Sequence, residues 1–143
     1  MNLNKMMATN NSWGLLALRL GAGAIFIAHG AGKFGIGGGG GLEGTTNMVA
    51  GLGFPVPVVF AVLLASSEFI GGMLLVLGLL TRLAAFTQVI AMAVAVFMVH
   101  WSNGLTGAGG YEWAMLLGLA AFCLMMDGAG RFSVDRMLGG KRR

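Results

Sequence analysis

Six polar side chains stand in or beside long apolar runs of this sequence: Arg19, His29 and Lys33 in the first, Glu68 in the second, His100 at the end of the third and Glu112 at the start of the fourth. Imidazole, carboxylate and ammonium groups held together can bind a polar headgroup and relay protons. At about 100° per helical residue, Arg19, Ala22, Phe26, His29 and Lys33 fall on one stripe, with His29 about 15 Å along the axis from Arg19. Charged groups facing lipid are costly, so the stripe is expected to face inward. Ala61, Ala65 and Gly72 share a face with Glu68, and small residues admit a neighbouring helix, so Glu68 is expected at a helix contact with Arg19 or His29 as its partner. An Arg19–Glu68 ion pair that only fixes helix register competes with a catalytic role for the two.

Composition says which elements must position these groups. Of 143 residues, 57% are hydrophobic and 10% charged, with mean hydropathy +0.83. The apolar residues form blocks of roughly 20, the thickness of a bilayer core. Four spans are read, at about 13–34, 57–80, 83–100 and 111–126. Pro55 and Pro57 precede the second, where proline suits a helix start, and Trp13, Trp101, Tyr111 and Trp113 lie at span ends, as interfacial aromatics do. Four spans with two short connections predict one domain, an all-α antiparallel four-helix membrane bundle. Arg19 interrupts the first run, which is also too long for a cleaved signal peptide.

Basic residues set the expected orientation. Lys5 precedes the first span, Arg82 sits in the turn between the second and third, and a basic tail, 128–143, comes after the last. The remaining loops carry Lys33 and Glu43. Both termini are therefore expected in the cytoplasm, with 35–56 and 101–110 outside. The glycine-rich IGGGGGLEGTTNM segment reads as a loop, either plain or a flexible lid. In the tail, Phe132, Val134, Met137 and Leu138 read as the apolar side of a short surface piece, with Arg131 and Arg136 near lipid phosphates and Asp135 paired with Arg82. Beside membrane spans, this basic end points to anionic lipid, and no nucleic-acid partner is expected.

The outer halves of the four helices would gather His29, Lys33, Glu68, His100 and Glu112 toward a partly wet pocket, with Gln88 and Asp127 deeper. Two histidines and two glutamates at scattered spacing show no metal-ligand signature, and no metal is expected. Cys123 is the sole cysteine, so no thiol relay can operate within the chain, and it reads as a small apolar residue. No phosphate loop, catalytic triad or haem attachment motif is present.

RLGAGAIFIAHGAGKF, the glycine-rich loop, SSEFIGGMLLVLGLLTR, GGYEWAMLLGLAAFCL and DGAGRFSVDRML occur in this order over about 15–138 and resemble the DoxX family. The most specific parts are E-x-x-GG-x-LL-x-LG-x-x-TR and G-x-GR-x-S-x-D. The resemblance implies a small four-helix protein of prokaryotic cytoplasmic membranes, linked in some relatives to quinone oxidoreduction or to thiol and oxidative-stress pathways. Family motif positions fall on Arg19, His29, Gly30, Lys33, Glu68, Gly72, Arg82, Glu112, Arg131, Ser133 and Asp135. Two functions of different class are implied. As a quinone-linked oxidoreductase subunit, the chain would donate hydrogen bonds to quinone carbonyls from His29 and His100, relay protons through Glu68 or Glu112, and receive electrons from a partner. As an accessory or assembly subunit, it would dock laterally, through small-residue faces, onto other membrane subunits or further copies of itself. A transporter fits less well, since no paired broken helices are visible.

The orientation is testable. In a Cys123→Ala background, a cysteine placed at Gly40 should react with an impermeant thiol reagent added from the periplasmic side; labelling from the cytoplasmic side alone would invert the topology.

Overall fold

The structure, a computed structural model, describes residues 7–139. Lys5, Lys141, Arg142 and Arg143 lie outside the described residues. No β-strand forms among the described residues. Helix α1 spans Trp13–Lys33, α2 Gly41–Gly51, α3 Pro57–Leu77, α4 Thr81–Val94, α5 Glu112–Asp127 and α6 Val134–Gly139. A π-helical segment, Ala95–His100, and a 3₁₀ turn, Trp101–Asn103, continue α4. Among the described residues three helical stretches are long and apolar enough to cross a membrane: Trp13–Lys33, Pro57–Leu77 and Thr81–Asn103. Helix α5 is also apolar but has 16 residues. On the outside of these helices Leu20, Ile70, Phe86, Phe97, Leu116 and Phe122 are exposed, the surface that lipid requires.

The long helices close a ring in which α1 packs on α3, α3 on α4, α4 on α5, and α5 on α1. Glycine sets the closest of these contacts. A Cβ on Gly30 would stand 2.4 Å from the Phe69 backbone nitrogen, and one on Gly72 would stand 2.7 Å from that of Ile27. Helices α1 and α3 therefore touch backbone to backbone, and this fixes their register. The small residues of the sequence motif are thus used inside the chain. The exposed lateral surface is built of large apolar side chains.

Helix ends explain the other end of the ring. A buried helix terminus leaves unpaired N–H or C=O groups that must find partners. Ser12 accepts from the Leu15 N–H to cap α1. At the end of α3 the carbonyls of Leu75 and Val76 accept from Arg19 Nη1, the first of them also from Gly78 N. Those of Met125 and Met126 at the end of α5 accept from Arg82 Nη1 at 2.7 and 2.6 Å. Leu80, at φ 48°, precedes α4 with no capping side chain of its own. Asp135 supplies the cap from 54 residues away: its carboxylate accepts from Leu80 N at 2.7 Å and Thr81 N at 2.9 Å. Gly78 takes φ 66° at the end of α3, where a Cβ would strike Ser133 at 2.5 Å, so the turn and the tail interlock.

Several expectations change here. Part of the loop 35–56 is helical: α2 buries Thr45 and Val49 and packs on α3. Asp135 does not pair with Arg82, because both its oxygens serve the α4 N-terminus while Arg82 donates to Ala8, Met125 and Met126 carbonyls. In the tail Ser133 and Asp135 are buried, whereas Phe132, Met137 and Leu138, its apolar side, are exposed. Unmet backbone groups attract the polar residues inward more strongly than the apolar ones are drawn to the protein.

Arg19→Met should unhook the tail from α3 and lower stability by about 3 kcal/mol or more, the range for breaking a buried charged network. Asp135→Ala should cost about 1–2 kcal/mol, as a lost helix cap does. Denaturant titration in detergent, with limited proteolysis after Asp127, reads both. An unchanged midpoint for Arg19→Met would show that the tail is held by something else.

Candidate functional site

The opposite end of the ring holds a partly open cavity of about 840 Å³. Four long helices and α2 contribute to its wall: Phe26, His29 and Lys33 from α1, Val49 from α2, Ser67 and Glu68 from α3, Thr87 and Ala91 from α4, and Trp113 and Leu117 from α5. Ala95, Val99 and His100 of the π-helical segment complete one side. A π turn accommodates an extra residue, so the chain beyond it is rotated by about 100° relative to a continuous α-helix. Such a turn re-aims the end of the helix that carries His100. The wall is mostly apolar, with a few polar groups converging on it.

Glu68 is bonded to Lys33, not to Arg19 or His29. Lys33 Nζ donates to Glu68 Oε2 at 2.5 Å, with side chains 20% and 4% exposed respectively. The register set by Gly30 against Phe69 explains the choice, because it levels Glu68 with the last turn of α1. Arg19 lies level with Leu75 and Val76, about 11 Å further along α3 at helical rise. Its guanidinium is taken up by the carbonyls of Leu75, Val76, Ala129, Arg131 and Phe132. The Arg19–Glu68 ion pair expected from sequence is therefore not formed.

His29 lines the cavity and makes no hydrogen bond to another described residue. His100 also lines it, with Nδ1 2.8 Å from the Gly109 carbonyl oxygen. That carbonyl can only accept, so Nδ1 donates and this donor is unavailable to a ligand. Glu112 stays off the cavity wall, at the first turn of α5 with its N–H on the Leu105 carbonyl. Ser67 and Thr87 join the wall although nothing in their sequence context singles them out, since both read as ordinary span residues. Behind the wall Gln88, 0% exposed, donates from Nε2 to the Ser67 carbonyl at 2.6 Å. Gly71 leaves the space for it, since a Cβ there would lie 2.3 Å from that nitrogen. Among the described residues no group of three His, Cys, Asp or Glu side chains comes together.

Apolar helices of membrane-crossing length around a ligand-sized cavity define a helical membrane protein. The family model DoxX matches residues 14–101, from the first turn of α1 to the start of the 3₁₀ turn. An uncharacterized protein of Haemophilus influenzae is 34% identical over 128 residues, covering 85% of this chain and 87% of its own length. A Bacillus subtilis protein named "Putative oxidoreductase CatD" is 32% identical over 104 residues, 73% of this chain and 72% of its own. The Mycobacterium tuberculosis "Uncharacterized membrane protein Rv3486" is 35% identical over 100 residues, 61% and 60% of the two chains. No solved structure gives a match. The chain belongs to the DoxX family.

Of the motif positions, Arg19, Arg82, Ser133 and Asp135 serve the polar clasp at the chain ends, and Gly30 and Gly72 set the α1–α3 contact. Arg131 lies over the Trp13 ring, 4.5 Å from its centroid. His29, Lys33 and Glu68 face the cavity.

Removing one member of a buried pair strands the other charge. Lys33→Met should therefore cost about 3 kcal/mol, because it strands the Glu68 carboxylate, and Glu68→Ala somewhat less, because the Lys33 ammonium that it strands is better solvated. With Glu68→Leu as the second single variant, the double variant Lys33→Met/Glu68→Leu should recover most of that loss. Additive losses in this double-mutant cycle would show that the pair does not act as one unit.

Proposed function

We propose that this protein is a membrane subunit of a quinone-linked oxidoreductase, and that its cavity takes an apolar-tailed ring headgroup of the quinone type. The observation that carries this reading is the cavity itself: about 840 Å³, mostly apolar, with His29, Lys33, Glu68 and His100 converging on it. That volume lies within the roughly 300–1,000 Å³ usual for small-molecule sites. The ring and tail match the apolar wall, and the headgroup oxygens match the few polar groups. Electrons would come from a partner subunit or donor, and the name of the CatD relative supports the oxidoreductase class.

In this proposal all four long helices cross the prokaryotic cytoplasmic membrane as an antiparallel bundle. Among the described residues Arg19, Arg82, Arg131 and Arg136 gather at the end where α1 begins and α5 ends, while Lys33 stands at the other with Glu43, Glu68 and Glu112. The positive-inside rule then puts the clasp in the cytoplasm and the cavity toward the outer leaflet. Lateral docking to other subunits or to further copies would use the large apolar outer surface, because the small-residue faces are occupied inside the chain.

His29→Phe tests the site. The variant keeps an apolar ring in the wall and should insert normally. It should weaken binding of decylubiquinone, in either redox form, by about tenfold, the value of one to two hydrogen bonds. Quenching of the wall residue Trp113 reports this binding. Saturable binding unchanged in the variant would remove His29 from the site. Failure to insert, with no binding to the unaltered protein, would give His29 a packing role alone and end the quinone reading.

A further inference from the structure

The His100 wall has a defined polarity. Nδ1 faces the Gly109 carbonyl at 2.8 Å, and the same carbonyl accepts from Asn103 Nδ2 at 3.0 Å. The carbonyl is held in place by its loop: Gly110 N donates to Gly107 O at 2.7 Å, Tyr111 N to Gly104 O at 3.1 Å and Glu112 N to Leu105 O at 3.1 Å. Gly109 itself sits at φ 73°, where a side chain would be strained. A carbonyl has no proton to give, so the ring proton is on Nδ1. In the neutral imidazole Nε2 then carries a bare lone pair, and among the described residues it has no partner.

Glu68 adds a second acceptor. Its Oε2 holds the Lys33 ammonium, while Oε1 makes no hydrogen bond to a described residue. At that wall an ammonium and a carboxylate stand side by side, so a ligand oxygen there can be a carbonyl accepting a hydrogen bond from Lys33 or a hydroxyl donating one to Glu68. With the imidazole neutral, the His100 wall allows no such choice. A carbonyl oxygen against Nε2 places lone pair against lone pair, whereas a hydroxyl donates to it.

We propose that the cavity requires a hydroxyl at its His100 wall and so holds the reduced, hydroquinone form of its headgroup in preference to the oxidised form. This rests on the reading of the cavity as a quinone-type site and gives it a direction: the protein retains quinol. The reaction it accompanies is then one that delivers quinol to the site or draws on it.

Anaerobic titration of the purified full chain with decylubiquinol and with decylubiquinone tests the proposal, with equilibrium dialysis alongside Trp113 quenching. The reduced form should bind about tenfold more tightly, the difference between a made and a refused hydrogen bond. His100→Phe should bring the two affinities together by weakening the quinol alone. The ring tautomer gives an independent reading. The chain has two histidines, so in His29→Phe the ¹⁵N imidazole signals of the native sequence belong to His100. They should show the proton on Nδ1. Equal or tighter binding of the oxidised form, or a proton on Nε2, overturns the hydroxyl requirement while leaving a quinone site standing. Binding of neither form overturns both. The wild-type preference and the tautomer decide the matter even where His100→Phe does not insert.

Discussion

The Arg19 guanidinium, 1% exposed, donates to five backbone carbonyls drawn from two segments: the last turn of α3 and the 129–132 stretch before α6. Backbone groups in an apolar solvent cannot borrow hydrogen bonds from water, so each helix end has to be met from within the protein. One planar fork with five N–H groups meets several at once, which lysine cannot do. Arg82 serves α5 in the same way, and Asp135 serves the start of α4 with the opposite charge. Together they bind the start of α1, the α3–α4 turn and the tail into one polar knot. The arginines sit at negative ends of helix dipoles and the aspartate at a positive end, so each bond is also favoured electrostatically.

The other half of the molecule is organised differently. There the helices enclose a cavity, and the polar groups are only partly satisfied by the protein. Lys33 and Glu68 neutralise one another, His100 gives one nitrogen to the Gly109 carbonyl, and His29 gives neither to a described residue. Function is to be sought where hydrogen-bonding capacity is left over. Charges at the knot are spent on backbone and have nothing left for a ligand. Those at the cavity keep capacity directed into a space of ligand size. A wall that is apolar except at these points suits a ring with polar edges and an apolar tail.

Much of this was legible in the sequence because period and composition carry it. The long apolar runs mark α1, α3, α4 and α5, and the helical stripe aligns His29 with Lys33. Depth alone brings Glu68 and His100 to the same half. The partners were not legible, and the reasons are physical. Which α1 residue meets Glu68 depends on the α1–α3 register, and that is set by backbone contacts at Gly30 and Gly72 which no hydropathy pattern reports. Arg19 reads as a partner for a carboxylate, yet its bonds go to carbonyls, groups every residue has and no sequence singles out. Asp135 caps a helix 54 residues earlier in the chain, beyond the reach of a local capping motif. Helix α2 is hidden by the glycines that flank it. The polarity of the His100 wall arises from a single loop carbonyl.

The proposed occupant of the cavity is a ring headgroup carrying an apolar tail. The most direct measurement is organic extraction of the gently purified native protein, with mass spectrometry and quantitation of the lipid-soluble molecules released per chain. A tailed hydroquinone or quinone should be released near one equivalent, falling sharply in His29→Phe purified in the same way. Bulk membrane phospholipid alone, with no ring compound above the level carried by an unrelated membrane protein, would contradict the claim.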